Sequence, residues 1–571
     1  MKKTIIFLSL FAIQCSLWAQ TKTLIDAQEA TALASKQFKT PYIYPNPNET
    51  AEQKAIRLKW WTDAKFGLFI HWGLYAIPAN GEWYMRQQHK SIAEYSKLAH
   101  QFNPIKFSAD EWMQIAHEAG MKSMAITSKH HDGFAMFDSK ASDYNIVKAT
   151  PFKRDILKEL SIAAPKHGIR FGVYYSGMAD WSHPGGGAGE PKWDSLQYGN
   201  TDSYIDNIAV KQVHELMNNY GPIGEVWFDN DESQGVTPER ANRIYAELKK
   251  QPDVVVTPRL GGSGDFIVQE QRITPIAPLS LYWEGALTIN GAWGYRNSPA
   301  KSLPVLLRKM IDVFSKGGNV ILNVGPNAEG QFPADNIERL RQIGKWMKLN
   351  GEAIYGSVAG PFDYLSWGRA TRKGNTIYLH VFKWPKDGVL KVPNISSVKN
   401  VWLLANAKKK LNWKIVNGKL LLNLPLSAPD TIASIIALEL DKIPTQLKSL
   451  ALNKPVTVSV DPGNAKNLVD NNPDSKWKPG KTEIASWLEV DLQSPETINT
   501  VRIGSGFSNI TKFALEYKDG LEWKTIFTDV NMPQDEYLKT FATVKAQYVR
   551  IHIFESLGDL QIGSFELFGE E

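Results

Sequence analysis

Between Lys59 and about Gly356, short apolar runs alternate with amphipathic helical stretches. The runs are MKSMAITS, IRFGVYYS, GEVWFDND, DVVVTPRL and GNVILNVGP. Each has the length and β-branched or aromatic content of a strand buried on both faces. The stretches between them carry helix-start signals: Ser108 to Glu111 matches a capping box ahead of a helix that stops near Gly120, and Thr237-Pro238 places an N-cap before proline at the first helical position. Strand–helix units repeated over roughly 300 residues favour a closed (β/α) barrel over an open sheet. Two stretches show how such strands would end. KWWTDAKFGLFIHWG runs from Leu68-Phe69-Ile70 into His71-Trp72-Gly73, and SKHHDGFAMFDS follows Met124-Ala125-Ile126 with His130-His131-Asp132-Gly133. Buried strands that finish in titratable side chains and a glycine turn are how a parallel barrel presents chemistry at one rim.

After Gly356 the pattern changes. NTIYLHVFKWP, GVLKVP, VKNVWLLA and KLLLNLP are short, β-rich and divided by turn residues, which predicts a small antiparallel β-sandwich ending near Leu440. A linker, Asp441 to Ser449, leads to further strand-length runs, SWLEVDLQ, INTVRIGS, KFALEYKDG, YVRIHIFE and GSFELFG. The expected division is therefore a leader at 1–19, a catalytic barrel at 20–356, a β-sandwich at 357–441 and a C-terminal module at 450–571. At 571 residues the chain is too long for one core, in keeping with about three domains.

The N-terminus reads as an export signal: Lys2-Lys3, an apolar run from Ile5 to Ile13, and Ala19 as a cleavage residue. The run is too short to span a bilayer, and nothing later resembles a membrane span. The chain's single cysteine, Cys15, lies within it, so the expected product is exported, periplasmic or extracellular, and free of disulfides. A net charge of +6, from 65 basic and 59 acidic residues, is too small and dispersed to argue for a nucleic-acid partner.

Asp229 is the leading catalytic candidate, because it ends the run Glu225-Val226-Trp227-Phe228, where a barrel strand would deliver it to the rim. Asn230 and Asp231 follow, so an acidic metal cluster stays open as a second reading, without tight ligand spacing behind it. Glycoside cleavage needs a second carboxylate to protonate the leaving oxygen. Glu270 in GDFIVQEQ and Glu284 in LYWEGALT both qualify: Tyr282 and Trp283 would desolvate Glu284, and Glu270 sits in a polar, Gly-led loop free to reach a substrate. Glu82, His71, His130 and His131 would contact a ligand bearing several hydroxyls. Trp72, Trp83, Trp181, Trp227 and Trp293 would add the aromatic faces common in sugar pockets.

The segments FGLFIHWG, GEWY, FNP, SKHHDGFAMFDS, GVYYSGMADW, VWFDND, GDF, WGY and GNVILNVGP, in order over most of Lys59 to Gly330, resemble glycoside hydrolase family 29, the retaining α-L-fucosidases. That resemblance implies a barrel backed by a β-sandwich and a fucosylated oligosaccharide or glycoconjugate as substrate, with no cofactor for catalysis. It makes Asp229 the nucleophile. His71, Glu82, His130, His131, Tyr175, Trp227 and Arg259 would line the fucose subsite, with Trp293 near the sugar's methyl group. Tyr174 is the alternative to Tyr175, since neighbouring strand residues face opposite sides. Glu270, which follows GDF, is the favoured acid/base and Glu284 the alternative. The last domain is similar to factor V/VIII type C (discoidin-like) modules through NLVDNNPDSKW, SWLEVDL, YVRIHIF and FELFG, which implies a jelly-roll β-sandwich of a carbohydrate-binding type. Such modules can hold a structural calcium, with Asp470, Asp474 and Glu566 as its candidate ligands here. Two other functions remain compatible with these residues: a fucose-binding protein without turnover, and a barrel glycosidase acting on another sugar. Oligomeric state has no signature in the sequence.

Overall fold

The computed structural model describes residues 42–44, 48–230, 235–262, 264–416, 419–446, 448–480, 486–504, 509–533 and 536–569. The expected export signal and Asp231 lie outside these residues. Two compact units emerge. One runs to Val268 and includes Tyr282–Leu306 and Asn319–Gly351; the other comprises Gln269–Leu281, Leu307–Gly318 and Glu352–Glu571.

Eight strands form the sheet that carries the candidate site: β1 (Phe66–Ile70), β2 (Ser123–Lys129), β3 (Arg170–Tyr175), β4 (Glu225–Phe228), β5 (Val255–Val256), β6 (Ile267–Glu270), β7 (Trp283–Thr288) and β8 (Asn319–Val324). Their spatial order is β5-β4-β3-β2-β1-β8-β7-β6. The first strand thus lies between the second and the last, the cyclic order of a TIM-like barrel. Pairing is parallel from β1 through β5 and between β7, β8 and β1. Every residue of β1, β2, β4, β7 and β8 is buried, as expected of strands with helices outside and a packed interior.

The helix signals hold locally. Ser108 accepts from the Glu111 amide at the start of Ala109–Glu118, and Gly120 follows with a positive φ. Thr237 caps Pro238–Leu248 through the Arg240 amide. The repeat loosens between Val256 and Trp283, where the chain passes through β6 without a helix among the described residues. DVVVTPRL yields only the two-residue β5 because Pro258 removes a ladder donor.

Inside the barrel, Phe69, Ala125, Tyr174, Trp227, Val255, Phe266, Ala286 and Ile321 form one apolar cluster. Gly172, on the inner face of β3, has no room for a side chain. A Cβ there would lie 2.7 Å from the Met124 carbonyl oxygen and 2.9 Å from that of Glu225.

The second unit contains two apolar cores. One, around Leu379, Leu390, Leu420 and Ile436, joins a six-stranded antiparallel sheet to a three-stranded one. The other, around Trp477, Phe513, Ile551 and Phe565, belongs to an antiparallel sheet built on the long strands Ser486–Gly504 and Glu536–Ser556. Trp477 is fully buried core, while Trp487 is only half-buried.

Candidate active site

Asp229 follows β4 directly, at the C-terminal end of the barrel strands, and its side chain keeps 23% of its exposure, enough for a ligand to reach it. Both carboxylate oxygens have donors. Tyr174, from the inner face of β3, donates its hydroxyl to Oδ2 at 2.7 Å, and the Arg259 guanidinium binds Oδ1. The His131 Nε2 lies 3.7 Å from Oδ2. Burial alone would raise the Asp229 pKa, but the charge of Arg259 and the hydrogen bonds from Tyr174 and Arg259 more than offset it and hold the group below the ordinary carboxylate range. Asp229 is thus an anion aimed at the rim. Its neighbour Asn230 serves the backbone instead. The Asn230 side-chain oxygen accepts from the amides of Gly177 and Met178, tying β4 to the loop after β3.

The histidines beside it are neutral. Burial lowers the pKa of His71 to about 4, and it also lowers those of His130 and His131. Their tautomers follow from their partners. The Asn323 amide nitrogen donates to the Trp293 carbonyl at 2.7 Å, so its oxygen accepts from His71 Nδ1–H, also at 2.7 Å. Ser176 donates to the Ala179 carbonyl, so it accepts from His131 Nδ1–H at 2.6 Å. Both rings therefore turn an unprotonated Nε2 to the site, an acceptor suited to a hydroxyl. His130 stacks on Tyr174 with centroids 5.4 Å apart, and its buried Nδ1 has no partner among the described residues. Glu82 accepts from the Gly294 amide at 2.7 Å, and burial raises its pKa. Trp293 lies 5.2 Å from His71, ring to ring.

An ionised carboxylate ringed by neutral acceptors and aromatic faces is built for a neutral polyhydroxylated ligand. The sequence model of the family described as alpha-L-fucosidase matches residues 30–352, more than half of the chain. The chain belongs to the alpha-L-fucosidase family. The alpha-L-fucosidase C-terminal domain model matches residues 367–441 of this fucosidase, and the F5/8 type C domain model matches 455–566. The tissue alpha-L-fucosidase of Rattus norvegicus is 30% identical over 429 residues, covering 67% of this chain and 90% of its own. Among solved structures, an alpha-L-fucosidase from a Vibrio species aligns over 89% of this chain and 98% of its own, with a TM-score of 0.69 and 27% identity. A family 29 alpha-L-fucosidase from Bacteroides thetaiotaomicron, solved as a covalent intermediate trapped with 2-fluoro-fucosyl fluoride, covers 68% of this chain and 96% of its own. Its TM-score is 0.62 and its identity 29%. The fucosidase is thus a glycoside hydrolase of the retaining class.

Asp229, His71, His130, His131, Glu82, Arg259 and Trp293 all lie in the first unit, and the contacts above link His71, His130, His131, Arg259 and Trp293 around Asp229. Tyr175 is corrected. Strand alternation turns it outward, where its hydroxyl donates to Gln212 at 2.8 Å and Lys129 Nζ sits 4.8 Å from its ring centre. Tyr174 takes the place beside Asp229 instead. Glu284 lies inside the barrel but low on β7, paired with Asn319, the first residue of β8. Its carboxyl accepts from the Trp227 indole at 3.2 Å. That is four residues, roughly 13 Å, before the strand end, too deep for an acid serving the rim. Glu270 is the last residue of β6 and only partly buried.

The calcium candidates do not fit a cation site. Both Glu566 oxygens are taken by buried Arg502 at 2.7 and 2.6 Å; Asp470 caps a turn through Asn472 and Ser475; Asp474 is exposed. Among the described residues, the group of three or more potential ligands within reach of one another is His130, His131 and Asp229. There the guanidinium already on Asp229 would repel a divalent ion. Sequence reasoning missed Asn323 and Ser176, which set the histidine tautomers. Asn323 in GNVILNVGP, an amide next to the end of a strand that is otherwise apolar after its first residue, was the available sign.

Proposed function

We propose that the chain hydrolyses terminal α-L-fucose from fucosylated glycans by double displacement. The observation that carries this reading is Asp229, held ionised by Tyr174 and Arg259 beside neutral imidazoles. In the first step an Asp229 oxygen attacks the anomeric carbon as the glycosidic C–O bond breaks. Glu270, chosen because it follows the GDF motif and because Glu284 lies deep in the barrel, gives its proton to the leaving oxygen. In the second step the Glu270 carboxylate takes a proton from water. The water oxygen attacks the anomeric carbon, and the bond to Asp229 breaks. The acceptor nitrogens of His71 and His131, with His130 and Glu82, would take sugar hydroxyls; Trp227 and Trp293 would face its apolar edge and methyl group. No cofactor enters this scheme.

The test is NMR of an aryl α-L-fucoside during hydrolysis: the first product should be the α anomer, and inversion would overturn the mechanism. Lys2-Lys3 and the apolar run after them support export across a membrane. Among the described residues no helix is long and apolar enough to cross one. N-terminal sequencing of the mature protein, expected to begin after Ala19, checks this.

A further inference from the structure

Glu284 has no place in that scheme, yet it is a carboxyl group buried at 3% exposure beside an apolar cluster. Burying a carboxyl costs free energy that a leucine of similar size would not incur, so its presence calls for a role. Its hydrogen-bond donor among the described residues is the Trp227 indole N–H, at 3.2 Å. Trp227, itself 2% exposed, stacks on Tyr174 with centroids 5.8 Å apart and planes 16° apart. The Arg259 guanidinium lies 5.3 Å from the Trp227 ring centre. Tyr174 and Arg259 are the two groups that donate to Asp229. The indole therefore touches both of them, and Glu284 fixes its rotation.

We infer that Glu284 is a positioning residue: it seats the Trp227 indole, and through that ring it holds Tyr174 and Arg259 on the nucleophile. The titratable group facing Glu284 is Glu225 on β4, whose Oε1 is buried without a hydrogen-bond partner among the described residues; beyond Glu225 lies Asp265, bound by Arg57 at 2.6 Å. Burial keeps Glu284 protonated, so it accepts from the indole without a charge near Asp229. A side-chain amide can accept in the same way; an aliphatic side chain cannot.

This inference rests on the fucosidase reading, and its test separates the two. Wild-type protein and the variants Glu284→Leu, Glu284→Gln, Trp227→Phe and Trp227→Phe/Glu284→Leu are assayed with 4-nitrophenyl α-L-fucoside from pH 4 to 9, after circular dichroism melts confirm folding. Glu284→Leu should lose roughly 10- to 100-fold in kcat/KM, mostly in kcat, as misplacement near the reacting atoms does. Its acid limb should move to higher pH as Asp229 loses well-placed donors. Glu284→Gln should recover to within about threefold of wild type. The double variant should be no worse than the worse single, because both remove one contact. Trp227→Phe, which keeps an aromatic side chain but loses the indole N–H, carries the same test if the leucine variant does not fold. A Glu284→Leu variant with wild-type kinetics overturns the inference. So does a glutamine variant as impaired as the leucine one, or azide rescue of Glu284→Ala, which would make Glu284 the acid/base. A wild-type protein without turnover sinks the fucosidase reading itself.

Discussion

The rim of the barrel holds a partly exposed carboxyl group and the floor a buried one, and the two end in opposite states. Asp229 at the rim has a guanidinium, a phenol and an imidazole around it and is held as an anion. Glu284, lower on β7, has one neutral indole donor, and burial pushes its pKa up to about 8; burial also raises that of Glu225 beside it. Desolvation acts on all three. The number and charge of the donors decide which carboxyl ionises, so this barrel separates a reactive anion from a neutral scaffold acid within one interior.

The contrast is most exposed at the nucleophile. Asp229→Ala should cut kcat/KM on 4-nitrophenyl α-L-fucoside on the order of 10⁴-fold or more, the scale of removing an essential nucleophile; residual activity near wild type would break the rim assignment. Next, Glu270→Ala should lose about 10²- to 10⁴-fold on natural glycans, less on the activated aryl fucoside, with azide restoring rate. Tyr174→Phe removes one of Asp229's donors and should cost roughly tenfold, with the acid limb of the kcat/KM–pH profile moving up. An unmoved limb would mean that Arg259 alone holds the charge.

The floor makes a smaller, thermodynamic prediction. The unfolded chain releases the Glu284 proton above its ordinary value of 4.5, while the native protein keeps it to about 8. The unfolded state therefore binds fewer protons in that window, and native stability falls as pH rises through it, by at most about 1.4 kcal/mol per pH unit. Urea midpoints for wild type and Glu284→Gln should converge at pH 4.5 and diverge towards pH 8, the variant being the less sensitive. Smallest of all, a chelator should leave kcat unchanged. Loss of activity on chelation would revive the metal reading of His130, His131 and Asp229.

Much of this contrast was legible beforehand, and unevenly. Strand periodicity placed Asp229, His71 and His130-His131 at strand ends, because a short apolar run followed by polar residues has few other places in a barrel. The same periodicity left Tyr174 and Tyr175 undecided: alternation says that they face opposite ways but not which way is inward. Glu270 and Glu284 looked equivalent for a similar reason. Aromatic flanks predict desolvation, and Glu284 is indeed desolvated; its depth along the barrel depends on its pairing with β8, whose first residue is distant along the chain. Among the calcium candidates, Glu566 could not be judged from local pattern, because Arg502, distant in sequence, pairs with it across adjacent strands.

Composition, turn chemistry and the order of motifs by themselves determined the barrel, the β-rich domains after it and the family, since those depend on local pattern. Tertiary structure decided which tyrosine faces the nucleophile, which nitrogen of each histidine carries its proton and whether a buried glutamate is acid, base or scaffold. Each of those is set by a donor or acceptor brought in from another strand, and no local pattern encodes the partner.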